Sequence, residues 1–196
     1  MCGAESRSAW QGFIEAMGQQ GLRAPVLCII DGNAGLRAAI ATTWPKAVVQ
    51  RCLVHKLRNL EAKVPKHALD ELREDFRQIM YAASAAAAAK AYQAFERKWK
   101  SRCPGVVQSL HEAGDELLTF YRFPKGQWKT LRTTNVIERL NGEFRRRVKT
   151  QSSLPTEEAA LSLLFGLVAT GQVVLRRLDG WKQIPIVLRD HERQVA

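Results

Sequence analysis

Pro25-Val26-Leu27-Cys28-Ile29-Ile30-Asp31-Gly32-Asn33 is the stretch on which the fold turns. Its continuous apolar run is too short for a helix and stops abruptly at three turn-forming residues. A run bounded in this way suits a strand buried on both faces, as in a parallel sheet. Downstream, Ala34 to Trp44 reads as a helix ended by Pro45, and Ala47-Val48-Val49-Gln50 as a second short strand. Strand, helix and strand so close together make a βαβ unit, which predicts that the two strands are adjacent and parallel. Upstream, Trp10, Phe13, Ile14 and Met17 recur at helical spacing until Gly18 and Gly21 break the pattern.

Beyond the second strand the character changes. From Leu53 to about Lys129 apolar residues follow a period of about 3.6 and no strand candidate occurs. The alanine run from Ala82 to Ala91 is a high-propensity helix within this block. Thr133-Thr134-Asn135 offers an N-cap for a helix to about Lys149, and Pro155-Thr156 opens another. Ala159 to Leu175 is uncharged, but it is short for a membrane span and diluted by Ser162, Gly166, Thr170, Gly171 and Gln172, so it reads as a buried helix. The fold class is therefore α/β and mostly helical, with no membrane association.

The 196 residues are 46% hydrophobic and 25% charged, which excludes disorder over most of the length. The formal net charge of +11 points to a polyanionic partner such as nucleic acid, or to an anionic membrane surface. Four dispersed cysteines, Cys2, Cys28, Cys52 and Cys103, form no C-x-x-C pair and suit a reducing, cytoplasmic setting.

Asp31 stands at the carboxyl end of a buried strand, where α/β sheets place ligand chemistry. It also reads as a simple turn with Gly32 and Asn33. In Asn135-Val136-Ile137-Glu138-Arg139-Leu140-Asn141-Gly142-Glu143-Phe144-Arg145-Arg146-Arg147-Val148-Lys149, the residues Val136, Ile137, Leu140, Phe144 and Val148 share one face and are expected to pack inward. Glu138, Gly142, Arg145 and Lys149 form a stripe beside it, suited to the close approach of a phosphate backbone. Arg139 and Arg147 are expected to pair with Glu143. Glu138 lacks such a partner; it reads either as a capping-box partner of Asn135 or as a functional carboxylate facing Asp31. Cys52 and His55 have the spacing of half a metal site, with nothing to complete it. Cys52 is expected to be buried and His55 to lie near Asp31.

Asp31-Gly32-Asn33-x-Gly35-Leu36, Gln50-Arg51-Cys52-x-x-His55-Lys56-x-Arg58-Asn59, and Thr133-Thr134-Asn135-x-x-Glu138-Arg139-x-Asn141-x-Glu143-x-Arg145-Arg146-Arg147-x-Lys149 occur together and in this order. Their combination resembles the mutator-type transposases of bacterial insertion sequences, from about Gly3 to about Gly171. The resemblance implies a ribonuclease H-like core interrupted by an all-helical insertion. Residues 1–55 would be part of that core, 56–130 the insertion, 131–175 the C-terminal core helices and 176–196 a basic tail. It also implies catalysis of DNA strand cleavage and transfer by a carboxylate triad holding Mg²⁺, with Asp31 and Glu138 as catalytic metal ligands. Cys52, His55, Asn135 and Asn141 would then lie in the vicinity of the site, and Arg139, Arg145, Arg146, Arg147 and Lys149 would contact DNA. No Asp precedes Asp31, so one carboxylate of the triad has no counterpart. The expectation is a partial, incomplete core that is inactive alone, binding the element ends and target DNA, in a homo-oligomer and associated with the bacterial nucleoid. The alternative is a non-catalytic basic DNA-binding module.

Overall fold

The computed structural model describes residues 6–149 and 156–195, so Cys2 and Pro155 lie outside it. Helix α1 (Arg7–Gln19) begins where the Ser6 hydroxyl accepts the Ala9 amide, and it runs through Gly18; the turn comes at Gly21, whose φ is 97°. Strand β1 (Leu27–Ile30), helix α2 (Ala34–Thr43) and strand β2 (Val48–Arg51) form the expected βαβ unit. The strands pair in parallel, with Leu27 opposite Val48 and Ile30 opposite Arg51. Helix α1 packs on α2, and Ile14, Ile30, Ala39, Ile40 and Val49 bury a small apolar cluster between the helices and the sheet.

Burial on both faces belongs to β2 rather than β1. Leu27, Cys28 and Ile29 are half-buried, whereas Val49, Gln50 and Arg51 are buried. The cause is placement: both strands are edges of a two-stranded sheet, but the free edge of β2 lies against the 3-10 turns Gly114–Leu117 and Thr119–Arg122. Gln50 makes the join. Its Nε2 donates to the Leu117 carbonyl at 3.1 Å, and its Oε1 accepts the Phe120 amide at 2.8 Å.

The middle block is helical, as its period predicts. Helices α3 (Leu53–Glu61), α4 (Leu69–Met80), α5 (Ala85–Arg102) and α6 (Pro104–Ala113) enclose a second, larger core. Helix α4 buries Leu72, Phe76, Ile79 and Met80, an i, i+4, i+7, i+8 stripe. Helix α5 answers with Ala88, Phe95 and Trp99. Phe76 meets Phe95 edge to face at 6.1 Å. Trp99 is fully buried, and its indole nitrogen is satisfied by Asp75 at 2.9 Å.

After the short helix α7 (Trp128–Leu131) the described residues form three further helices that bury little. In α8 (Asn135–Val148) no residue is buried. Val136 and Ile137 are exposed, and Leu140, Phe144 and Val148 are half-buried, which corrects the expected inward face. The uncharged stretch does not form one buried helix either. Helix α9 (Glu157–Ala169) ends before Leu175; it buries Leu167 but leaves Phe165 75% exposed. Apolar composition states that a helix can be buried, not that it is covered, and among the described residues Leu161, Phe165 and Val168 of α9 stay exposed. No helix among the described residues is long and apolar enough to cross a membrane.

The basic tail carries a helix of its own, α10 (Ile184–Val195), after a 3-10 turn at Trp181–Gln183. Gly180 turns the chain at φ 70°, and a Cβ there would fall 2.8 Å from the Gly126 carbonyl carbon. The absence of a side chain lets the tail press against the segment before α7.

Candidate active site

The site is built outward from the end of β1. The Cys52 amide donates to the Ile30 carbonyl at 2.7 Å, extending the parallel pairing to the residue before Asp31. Asp31 is exposed, and its Oδ1 accepts the Asn33 amide at 3.1 Å. Asn33 in turn caps α2 by accepting the Leu36 amide at 2.8 Å. The turn and the exposed carboxylate are thus compatible: one oxygen shapes the loop and the group still faces solvent. Gly32 is required twice over. Its φ is 115°, and a Cβ on it would overlap the Arg51 guanidinium.

Arg51 belongs to an ionic cluster that joins the sheet to the helical block. Both its terminal nitrogens donate to Glu112 Oε1 at 3.0 Å, and the Lys56 ammonium reaches Glu112 Oε2 at 2.6 Å and the Ser109 carbonyl at 2.8 Å. Lys56 and Arg51 are buried. Burial pulls the Lys56 ammonium below its usual range, against the hydrogen bond and charge of Glu112. Burial works against ionisation of Glu112 as well, but hydrogen bonds from Lys56 and Arg51 outweigh it and hold the carboxyl below the usual range. Two cations share one carboxylate, so the cluster keeps a surplus positive charge beside the Asp31 loop.

Cys52, Thr134, His55 and Glu138 form a second group, joined to the end of β1 through the Cys52 amide. Cys52 is buried at the N-cap of α3, and its Sγ accepts the Thr134 amide at 3.4 Å. The Leu53 amide donates to the Arg132 carbonyl at 2.9 Å, so the starts of α3 and α8 are joined by two backbone donors. The Thr134 hydroxyl donates to Glu138 Oε1 at 2.7 Å and lies 3.4 Å from His55 Nδ1. His55 Nε2 is 3.7 Å from Glu138 Oε1. Glu138 therefore has a threonine partner rather than Asn135, and Thr134, not Asn135, is the N-cap residue. Asn135 and Asn141 are exposed on α8.

Along α8 the stripe Glu138, Gly142, Arg145 and Lys149 is exposed throughout, and nothing stands within 4 Å of a Cβ placed on Gly142. Arg139 is exposed too. Glu143 takes Arg146 at 2.6 Å, together with Arg147, as its cations; Arg146 takes the place expected of Arg139, because the two stand seven residues apart and so within about 20° of each other around the helix. Hydrogen bonds from Arg147 and Arg146 hold the Glu143 carboxyl below its usual range. Arg147 also donates to the Gln172 carbonyl, tying α8 to the segment after α9.

Asp31 and Glu138 are hard oxygen donors without a Lys or Arg partner among the described residues, which fits a magnesium-type cation. Among those residues no three His, Cys, Asp or Glu side chains converge as a metal cage, whether around Asp31 and Glu138 or around Cys52 and His55. Arg51 and Thr134 stand in the sequence motifs without a role in the site assigned to them, and Glu112 has no sequence signal. Glu112 lies 61 residues from Arg51, beyond any local pattern. Thr134 was visible as a cap, but its hydroxyl makes no helix-capping bond.

A family profile described as Transposase, Mutator family, matches residues 1–174. The chain is 35% identical over 165 residues to the transposase for insertion sequence element IS1201 of Lactobacillus helveticus, covering 84% of this chain and 44% of that protein. It is 36% identical over 167 residues to the transposase for insertion sequence element ISRM5 of Rhizobium meliloti, covering 85% and 42%. With the transposase for insertion sequence element IS905 of Lactococcus lactis it shares 37% over 155 residues, covering 79% and 39%. The chain spans about two fifths of the length of these relatives.

Proposed function

The chain belongs to the Mutator family of transposases, and from that premise we propose that it carries the Asp31 and Glu138 part of a DNA strand-cleaving and strand-joining site built on a ribonuclease H-like core. The observation that supports this most is a contrast among carboxylates. Glu112 and Glu143 are each held by two cations, whereas Asp31 and Glu138, the carboxylates of the two family motifs, have no Lys or Arg partner among the described residues.

In this reading Asp31 and Glu138 hold Mg²⁺, which when bound supplies charge stabilisation to the attacking and leaving oxygens of an in-line displacement at phosphorus. The chain's own residues do the rest. Arg139, Arg145 and Lys149 meet DNA phosphates along the exposed edge of α8, with Arg146 and Arg147 contributing less because Glu143 already engages them. Gly142 lets the backbone approach the helix closely. The surplus cation of the Arg51, Lys56 and Glu112 cluster favours a negative charge near the Asp31 loop.

With no third carboxylate converging on them among the described residues, Asp31 and Glu138 would hold a metal weakly and align nucleophile and leaving group poorly, so we infer that the chain by itself binds DNA without cutting it. Binding depends on phosphate contacts and is largely independent of sequence. We place the protein in the bacterial cytoplasm on nucleoid DNA, working within a homo-oligomer.

The test incubates the purified chain with supercoiled plasmid and Mg²⁺ or Mn²⁺ beside an Asp31→Asn control, and titrates DNA binding against salt. Retarded but uncut plasmid, with affinity falling steeply with salt, is expected. Nicking abolished by Asp31→Asn would show a complete site. DNA binding without any effect of metal on Asp31 or Glu138 would favour the non-catalytic binding module. Salt-independent affinity would remove the phosphate reading altogether.

A further inference from the structure

Among the described cavities, ionic clusters and exposed apolar faces, the hydroxyl of Thr134 stands out because it is diverted from its local task. A threonine at an N-cap ordinarily accepts an amide of the first helical turn. Thr134 occupies the N-cap of α8 and makes no such bond. Its hydroxyl instead points at Glu138 Oε1, 2.7 Å away and one turn further along.

The surroundings fix it in that orientation. A hydroxyl has one proton, and its shortest contact, which is also its charged acceptor, is the Glu138 carboxylate. Two other groups lie against the same oxygen: Cys52 Sγ at 3.3 Å and His55 Nδ1 at 3.4 Å. The Thr134 backbone is held separately, by its own amide on Cys52 Sγ. Cys52 in turn donates its amide to the Ile30 carbonyl, next to Asp31. A hydrogen-bonded path thus runs from the end of β1 through Cys52 and Thr134 to Glu138, between elements more than a hundred residues apart in sequence. Helix α8 buries no side chain, so this path is a main constraint on where its first turn sits.

We propose that Thr134 is a positioning residue: seated by Cys52 and His55, its hydroxyl fixes the Glu138 carboxylate relative to the strand that carries Asp31. The purpose of this arrangement rests on the reading of Glu138 as a metal ligand, where hydrogen bonds from outside the coordination set orient the donor oxygens. The isosteric Thr134→Val keeps the shape and loses the hydroxyl, whereas Thr134→Ser keeps the hydroxyl.

The experiment follows the side-chain carboxyl carbon of Glu138 by NMR in the whole chain labelled at glutamate, the resonance being assigned by its disappearance in Glu138→Gln. Thr134→Val is expected to move that resonance by more than its linewidth, and Thr134→Ser to leave it near the wild-type position. Should Thr134→Val fail to fold, Cys52→Ala, which removes the acceptor of the Thr134 amide, is expected to move it in the same direction. A titration with Mn²⁺ then reads affinity from broadening of the same signal; Thr134→Val is expected to weaken it about tenfold, the scale found for partners that orient metal ligands. A resonance unmoved by both variants, or one that moves without any change in Mn²⁺ affinity, overturns the proposal. Absence of Mn²⁺ broadening in the wild type, or broadening indifferent to Asp31→Asn, instead overturns the metal reading of Glu138, and with it the purpose assigned to Thr134.

Discussion

The helical block from Leu53 to Phe120 and the pair α8 and α9 all carry apolar residues suited to burial, yet they end in opposite states. In the block, Leu72, Phe76, Phe95, Trp99 and Leu110 interlock with almost no exposed surface. In α8 nothing is buried, and in α9 little beyond Leu167. The block is held by packing, whereas α8 is held at its first turn by the Cys52, Thr134 and Arg132 contacts and further along by Arg147. Stability and the candidate chemistry therefore reside in different places: the block makes the chain fold, and the site rests on a few polar contacts at its margin.

The widest separation between the two regions is expected from a pair of truncations. Trp99→Ala empties a full indole site and leaves Asp75 with Lys98 alone as its donor, at a cost of about 3–5 kcal/mol. Ile137→Ala, on a residue that is 58% exposed, is expected to stay within about 0.5 kcal/mol. Denaturant unfolding monitored by circular dichroism checks both, and equal losses would erase the distinction between a packed block and a bare helix.

Next in size is Glu112→Gln, which takes the charge from two buried cations and is expected to cost about 2 kcal/mol; the value lies below that of a fully buried pair because the Glu112 side chain is 54% exposed. Its pH dependence has a definite sign. The folded-state pKa of Glu112 is lowered, so its contribution is present above the ordinary carboxyl range and is lost as pH falls through the folded value. Melting curves of wild type and Glu112→Gln should differ at neutral pH, and the gap should begin to close only as pH falls below the ordinary Glu value of about 4.3. A constant gap down to acid pH would mean that the cluster is held by shape rather than charge.

Gln50→Leu tests the seam between sheet and block. It leaves the Leu117 carbonyl and the Phe120 amide buried without their partner, at a cost of about 1–3 kcal/mol. Hydrogen exchange at Phe120 is expected to accelerate before that of the α4 and α5 amides. If all three quicken together, the sheet and the block are one cooperative unit.

How much of this was legible follows from the range of each interaction. The βαβ unit could be read because its signals are local: an apolar run, a turn, a helix closed by Pro45, another apolar run. The helical block could be read because Leu72, Phe76, Ile79 and their like repeat with the helix period. The exposure of Phe165 and Ile137 could not, since hydropathy records a capacity for burial and not the presence of a cover. Helix α10 was masked by charge, although Ile184 and Val187 are spaced for it. In the candidate site, Asp31, Glu138, Cys52 and His55 were readable as motif residues. Their connection through Thr134 was not, because a hydroxyl that caps a helix and one that holds a carboxylate look alike in sequence.

The position of Gln50 has a consequence in time. Its two long-range partners, Leu117 and Phe120, lie 67 and 70 residues further along the chain. During synthesis β2 leaves the ribosome with a buried-type amide that nothing yet satisfies, and at typical elongation rates the delay is on the order of ten seconds. The sheet that presents Asp31 is thus completed late, by a segment made long after it, and until then β1 and β2 form a short ribbon with exposed edges. Growing chains halted before residue 117 should be cut by protease within the β1 to β2 segment and become resistant once residue 120 has emerged.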